Sequence, residues 1–308
     1  MLFRSQIKLK NKVFELRISV LPTIHGENIV IRILDKSNIK YELASLGLSP
    51  KISETFEKII NFPYGMFLVT GPTGSGKTTK LYTVLSVTSD VSKNVITIED
   101  PVEYQLPMIR QVQVNPKAGL TFSSGLRSML RQDPDIIMVG EIRDLETAEL
   151  AVRASLTGHM VFSTLHTNDA PSTIARLIDM GVKPFLVESA VSGVIAQRLV
   201  RVICENCKMK YSPEPELLEL IGLPKGTYYK GKGCKNCDDS GFMGRQGVFE
   251  FLVVTDAIKA KILAGASTNE LREVAVKEGM MTLKDAVFEK VKNGETTPEK
   301  ALKINHFL

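Results

Sequence analysis

The chain has 308 residues, 44% of them hydrophobic and 24% charged, and a formal net charge of +5. Those proportions exclude a disordered or fibrous class and fit a globular chain with one large domain and one or two small ones. Lysine and arginine are scattered without a dense basic block, and no apolar run approaches the ~18 residues of a membrane-spanning helix.

The opening Met1-Leu2-Phe3-Arg4-Ser5-Gln6-Ile7-Lys8 has neither the apolar centre nor the cleavage site of a signal peptide. Cytoplasm is therefore the expected compartment, with no direct membrane span and any membrane link made through a partner. Residues 13–18 alternate and residues 28–34 are β-branched, with Pro22 and Gly26 marking a turn, so two strands are predicted there. A polar linker is expected over 35–40. From about residue 53 to 199, short apolar runs at 66–70, 95–98, 136–139 and 160–163 alternate with helical patterns at 77–87, 145–156 and 172–180. That rhythm predicts an α/β domain with a mainly parallel sheet. Past Cys204 the chain turns polar and rich in glycine and cysteine, and after Gly247 it ends in helical stretches near 256–263, 268–278 and 283–293. The expected divisions are a partial β-rich N-terminal piece with its linker (1–40), an α/β core (41–203), a cysteine module (204–238) and a helical C-terminal region (239–308).

Gly71-Pro72-Thr73-Gly74-Ser75-Gly76-Lys77-Thr78-Thr79 contains the P-loop pattern, between an apolar strand and a helix. Its glycines let backbone N–H groups turn toward phosphate, and the helix start adds positive potential. Lys77 is expected on the β- and γ-phosphates of ATP and the Thr78 hydroxyl on Mg²⁺. Binding alone does not specify hydrolysis. The strand at 136–139 runs through Gly140 into Glu141, and Glu99, Asp100 and Glu103 follow the strand at 95–98. Both strands are candidates to neighbour the P-loop strand, and acids at two strand ends can share the metal's water shell and the attacking water. Solvated loop acids are the plainer alternative.

All four cysteines fall in two Cys-x-x-Cys pairs, Cys204/Cys207 and Cys234/Cys237. In a reducing compartment this spacing points to metal before disulfide, and four thiolates suit a closed, structural Zn²⁺ site. A redox dithiol is the alternative.

Three further segments accompany the P-loop: Ile98-Glu99-Asp100-Pro101-Val102-Glu103, then Leu130-Arg131-Gln132-Asp133-Pro134-Asp135 through Gly140-Glu141-Ile142-Arg143-Asp144, and Gly158-His159-Met160-Val161-Phe162-Ser163-Thr164-Leu165-His166-Thr167. They resemble the acidic box, the atypical Walker B and the histidine box of the secretion ATPase superfamily, in its type II secretion and pilus-assembly (extension) branches. The Gly at 140 is that family's own pattern. The resemblance implies a RecA-like core in a homo-hexameric ring and ATP hydrolysis coupled to pilus assembly or protein secretion. As partners it implies an inner-membrane platform protein and a cytoplasmic adaptor. It implies arginines delivered from the N-terminal side, matched by Arg17 and Arg32, although either arginine could instead serve a domain-interface salt bridge. His166, past its strand, is the expected catalytic-region histidine with Glu99 and Glu141. His159, before the same strand, and Arg127, Arg131 and Arg143 are expected in structural or subunit contacts. The two branches carry a tetracysteine element and the retraction branch does not. Members normally have a complete N-terminal domain, and the match here begins partway through one. The rival readings are a nucleic-acid-translocating RecA-like motor, against which stands the lack of an aromatic-interleaved basic stripe, and a non-hydrolysing nucleotide-gated scaffold.

Overall fold

The computed structural model describes residues 2–9, 12–35 and 42–305. It divides into two compact units, Met1–Tyr41 and Glu42–Leu308. Of the linker expected at 35–40, residues 36–40 lie outside the described residues.

The first unit is an antiparallel sheet of β1 (Leu2–Leu9), β2 (Lys12–Thr23) and β3 (Gly26–Asp35), in that order. β2 and β3 form a hairpin whose two-residue turn is closed by Thr23, whose Oγ1 donates to the Gly26 carbonyl at 2.8 Å. The sequence reading found β2 and β3 and missed β1, whose short alternation Phe3, Ser5, Ile7, Leu9 is diluted by a serine on the apolar side.

The second unit opens with a 3-10 turn, Leu43–Leu46, and α1 (Pro50–Ile60). It continues with β4 (Gly65–Thr70), α2 (Lys77–Thr88), β5 (Val95–Glu99), β6 (Arg110–Gln113), α3 (Phe122–Met129) and β7 (Ile136–Val139). Then come α4 (Leu145–Leu156), β8 (Met160–Leu165), α5 (Ala170–Asp179), α6 (Pro184–Ala190) and β9 (Val191–Ile203). The small pair β10 (Lys208–Tyr211) and β11 (Tyr228–Gly231) flanks α7 (Pro215–Ile221), and β12 (Phe242–Val253) precedes α8 (Asp256–Leu263), α9 (Thr268–Lys277), α10 (Leu283–Lys292) and α11 (Pro298–Asn305).

Seven of these strands form one sheet, ordered β12-β9-β4-β8-β7-β5-β6, in which only the β12–β9 pairing is antiparallel. The mainly parallel α/β architecture is therefore as expected. β4, β5, β7 and β8 are buried along their whole length, which is why they read as continuous apolar runs. Two points differ. The acid-bearing strands do not neighbour the P-loop strand: β4 lies between β8 and β9, so β7 is one strand removed and β5 two. The stretch after Gly247 also begins in strand β12, which sequence alone left unread because its first half, Phe242-Met243-Gly244-Arg245-Gln246-Gly247, is polar and glycine-bearing.

Helix starts are fixed by short polar side chains. Asp144 accepts from the Thr147 N–H at 2.8 Å to start α4, and Asp169 accepts from the Ser172 N–H at 2.8 Å to start α5, where Pro171 suits the first turn. One apolar core joins Met66 and Leu68 of β4 to Leu271, Val287 and Ala301 of the terminal helices, so α9 to α11 pack on the same interior as the sheet.

Candidate active site

The loop between β4 and α2 is shaped by its glycines. Gly71 has φ of +143°, and a Cβ there would lie 2.4 Å from the Gln197 carbonyl oxygen and 2.8 Å from Ser75 Oγ, so no side chain fits. Gly76 caps α2 without a side chain, leaving the first N–H groups of that helix without a side-chain cap and its positive end toward the loop. Lys77 curls back, its Nζ donating to the carbonyls of Gly71 at 2.7 Å and Pro72 at 3.1 Å. Burial pulls its pKa down to about 8, Glu141 opposes that, and Arg198 adds to it. Thr78 and Thr79 lie on the first turn of α2 and are not buried, nor are Pro72, Thr73 and Gly74, whereas Ser75 is buried.

Glu141 stands just past β7, largely buried. One carboxylate oxygen pairs with Arg143 and the other lies 3.4 Å from Nε2 of His166. His166 is held below its ordinary pKa by burial first and then by Lys77, against the opposing pull of Glu141. Lys77, Glu141 and His166 thus act on one another electrostatically at one end of the sheet. Thr70, the last residue of β4, fixes the segment after β8, because its Oγ1 accepts from the Thr167 N–H at 2.9 Å. On the other side of β8, the Gly140 carbonyl accepts from Thr164 Oγ1 at 2.7 Å.

Gly140 has its own steric reason. Its N–H donates to the Ile98 carbonyl at 2.8 Å, and a Cβ would lie 3.2 Å from that oxygen and 3.3 Å from Glu99 Cα. The end of β7 therefore lies directly on the end of β5, in a space where a side chain would press on the backbone that carries Glu99.

Glu99 is buried and held by three donors. Oε1 accepts from Thr97 Oγ1 at 2.6 Å and Gln111 Nε2 at 3.0 Å, and Oε2 accepts from the Tyr82 hydroxyl. Tyr82 in turn accepts from the Glu103 N–H at 3.1 Å, and burial followed by Glu99 pushes its phenol above the ordinary range. Tyr82 ties the P-loop helix to the acidic segment. Sequence reasoning passed over it as one apolar residue of a helical pattern.

Arg17 and Arg32 lie in the first compact unit, where they are register partners on β2 and β3. His159 lies at the opposite end of β8 from His166, its Nδ1 2.9 Å from the Ala154 carbonyl. Arg127 pairs with Glu146 at 2.5 Å and Arg131 donates to Ser128 Oγ at 3.3 Å.

The sulfur atoms of Cys204, Cys207, Cys234 and Cys237 all lie within 4.8 Å of one another, and all four residues are free thiols. The separations of 3.8 Å (Cys204–Cys234), 3.9 Å (Cys207–Cys237) and 3.6 Å (Cys234–Cys237) match the ~3.8 Å edge of a tetrahedron with Zn–S bonds of about 2.3 Å. They are far from the ~2.05 Å of a disulfide. The donor set therefore fits Zn²⁺ with no ligand position left for water.

Fold and site together define a P-loop nucleotide-binding protein with acidic groups set beyond the phosphate loop. The chain belongs to the family described as type II/IV secretion system protein, whose model matches residues 3–303. It is 50% identical over 293 residues to the type IV pilus assembly ATPase PilB of Thermus thermophilus, covering 94% of this chain and 33% of that protein. It is 43% identical over 304 residues to the type II secretion system ATPase E of Vibrio cholerae, covering 98% of this chain and 60% of that protein. The chain thus spans between a third and three fifths of the length of these relatives. A solved structure of the pilus retraction motor PilT with bound ADP matches 98% of this chain and 77% of its own at 30% identity and a TM-score of 0.71. DotB of Legionella pneumophila, at 22% identity and a TM-score of 0.72 over 99% of this chain and 77% of its own, shares the fold. The family resemblance read from the four motifs is borne out.

Proposed function

We propose that this chain acts as a hexameric ATPase that hydrolyses ATP to power the assembly of type IV pili or of the type II secretion pseudopilus. The observation that carries the reading is the convergence of Lys77, Glu141 and His166 at the end of the sheet where the P-loop opens. Its family membership, with pilus-assembly and secretion ATPases among its relatives, directs that chemistry to such a machine.

On arrival of ATP, Lys77 exchanges the carbonyls of Gly71 and Pro72 for phosphate oxygens. The Thr78 hydroxyl would hold Mg²⁺, which would supply charge neutralisation to the triphosphate. Glu141 orients the attacking water and takes its proton, and the neutral ring of His166 keeps the carboxylate aimed. Glu99, fixed by Tyr82, Thr97 and Gln111, would help hold that metal through its bound water. Arg17 and Arg32 serve the charge on the transferred phosphoryl group. Cys204, Cys207, Cys234 and Cys237 would hold Zn²⁺ in a structural role. Among the described residues no helix is long and apolar enough to cross a membrane; the proposed place of work is the cytoplasmic side of the inner membrane, through a platform protein and an adaptor.

Phosphate release from ATP by the wild-type chain, Lys77→Ala and Glu141→Gln, with sedimentation in the presence of a non-hydrolysable analogue, tests the reading. Hydrolysis by Glu141→Gln at the wild-type rate, or a chain that stays monomeric with every nucleotide, would overturn it.

A further inference from the structure

On the β9 side of the phosphate loop lies a cleft of about 400 Å³. Residues 72–75 of the loop form one wall, and Arg198, Arg201, Lys300 and Lys303 contribute four cations to its lining, with no carboxylate. At its base Arg198 is buried, with 6% of its surface exposed. Its Nη2 donates to the Asn168 carbonyl at 2.9 Å and approaches Asn168 Oδ1 at 3.4 Å, while Nε and Nη1 are closed from solvent without a hydrogen-bond partner among the described residues. The acids acting on it at longer range are committed elsewhere. Asp169 pairs with Arg272 at 2.9 Å, and Glu250 accepts from the N–H groups of Ala170 at 2.7 Å and Leu283 at 3.1 Å.

A buried guanidinium with unmade hydrogen bonds and no adjacent anion is costly, and proteins keep such a group where an anion arrives to complete it. Here the neighbours are also incomplete. Ser75 Oγ and Gln197 Oε1 are buried without partners among the described residues, and Nη1 lies 3.4 Å from the position a Cβ would take on Gly71. The unfilled donors of Arg198 and Ser75, with the Gln197 amide oxygen as an acceptor beside them, thus gather under the same loop whose Lys77 is folded back onto its own carbonyls. Arg198 and Lys77 also repel each other, and a single polyphosphate relieves both cations.

We propose that Arg198 is a nucleotide-binding residue whose Nε and Nη1 donate to phosphate oxygens once the loop re-forms around a polyphosphate. This rests on the reading of the loop as an ATP site and adds to it a second cation, delivered from β9 opposite the Glu141 side. With Nη2 held by Asn168, the Nε–H and Nη1–H groups diverge and reach different phosphate oxygens, a spread of donors on one rigid plane that an ammonium cannot reproduce.

The full chain is titrated calorimetrically with ADP, pyrophosphate and adenosine, as wild type, Arg198→Met and Arg198→Lys. Arg198→Met is expected to weaken ADP and pyrophosphate at least tenfold and adenosine less than twofold, with Arg198→Lys recovering part of the loss. ADP binding within twofold of wild type, or an equal loss for ADP and adenosine, overturns the assignment in favour of a pocket wall. Should Arg198→Met not fold, the Nε–H resonance of Arg198 in the wild type decides: it shifts with pyrophosphate and not with adenosine, and an unmoved signal refutes the contact. A wild type that binds ADP through Arg198 yet releases no phosphate from ATP removes the hydrolytic reading and leaves this one standing.

Discussion

The ammonium of Lys77 donates to the carbonyl of Gly71, 2.7 Å away and six residues behind it in the chain. The cation proposed to bind phosphate is therefore parked on its own loop, and burial brings its pKa down to about 8. A bound polyphosphate favours the charged form and must raise that value. Binding then takes up protons, and affinity falls as pH rises through 8, by up to about tenfold per unit. Calorimetry of ADP binding at pH 8.5 in buffers of different ionisation enthalpy measures the uptake. Zero uptake, or an uptake that survives in a Lys77→Met chain that still binds ADP, would show that Lys77 is not the titrating group.

Glu141 and His166 form a pair in which the carboxylate raises the ring's pKa against burial and Lys77. Glu141→Gln removes that support, so the His166 pKa should fall further. Phosphate release should drop by roughly 10²–10⁴ while ADP still binds. An NMR titration of the His166 ring checks the first expectation. A pKa that rises in the variant would mean that the ring faces away from residue 141 in solution.

Gly140 occupies the place where many P-loop enzymes carry a metal-linked aspartate, and the backbone of β5 lies against it. In Gly140→Asp the new Cβ meets the Ile98 carbonyl at 3.2 Å and Glu99 Cα at 3.3 Å. Crowding of this kind costs about 1–3 kcal/mol. Restoring the more usual residue should therefore lower both the denaturation midpoint and phosphate release. Faster hydrolysis and unchanged stability in the Gly140→Asp variant would show that β5 and β7 have room to part.

The legible parts of this chain were those whose chemistry is local. Gly71 to Thr78 announces a phosphate loop by residue type and spacing, and β7 and α4 have the bounds their apolar patterns indicate. Residues whose role depends on strand order were not legible. Arg198 sits in an apolar stretch with no readable period, and it meets the loop only because β9 lies beside β4 rather than at the sheet's edge. Tyr82 gains its role from the fold of the acidic segment over α2. For the same reason the distance of β5 from β4 could not be foreseen, since β8 and β7 come later in the chain and insert between them.

The four cysteine sulfurs already stand at the separations a tetrahedral ion requires, in a small cluster of their own. The purified chain should contain one equivalent of zinc, read by atomic spectroscopy. Removing it should increase amide exchange in β10 and β11 while ADP affinity changes less than the exchange protection does, because the phosphate loop draws no group from the cluster. Loss of nucleotide binding in step with zinc, with the sheet still protected, would show that the two sites are coupled.

Lys80 follows Lys77 by one helical turn and is 1% exposed. Its Nζ has no hydrogen-bond partner among the described residues; it lies 4.1 Å from the centre of the Phe249 ring and 5.8 Å from that of Phe56. Burial pulls its pKa down to about 7 from the ordinary lysine value of 10.5. In the window between those values the unfolded chain holds a proton that the folded chain does not, so stability rises with pH from about 7 to about 10.5. The aromatic faces return only part of what hydration gave the charge. Lys80→Met keeps the length of the side chain and removes the charge, and it should stabilise the chain at about pH 7.5 by on the order of 2 kcal/mol. It should also flatten the slope of stability between about pH 7.5 and 9.5, measured by urea denaturation. If the variant is less stable, or the slope persists, the ammonium is satisfied in solution by a group that the folded chain brings to it, and the helix after the phosphate loop then depends on that charge.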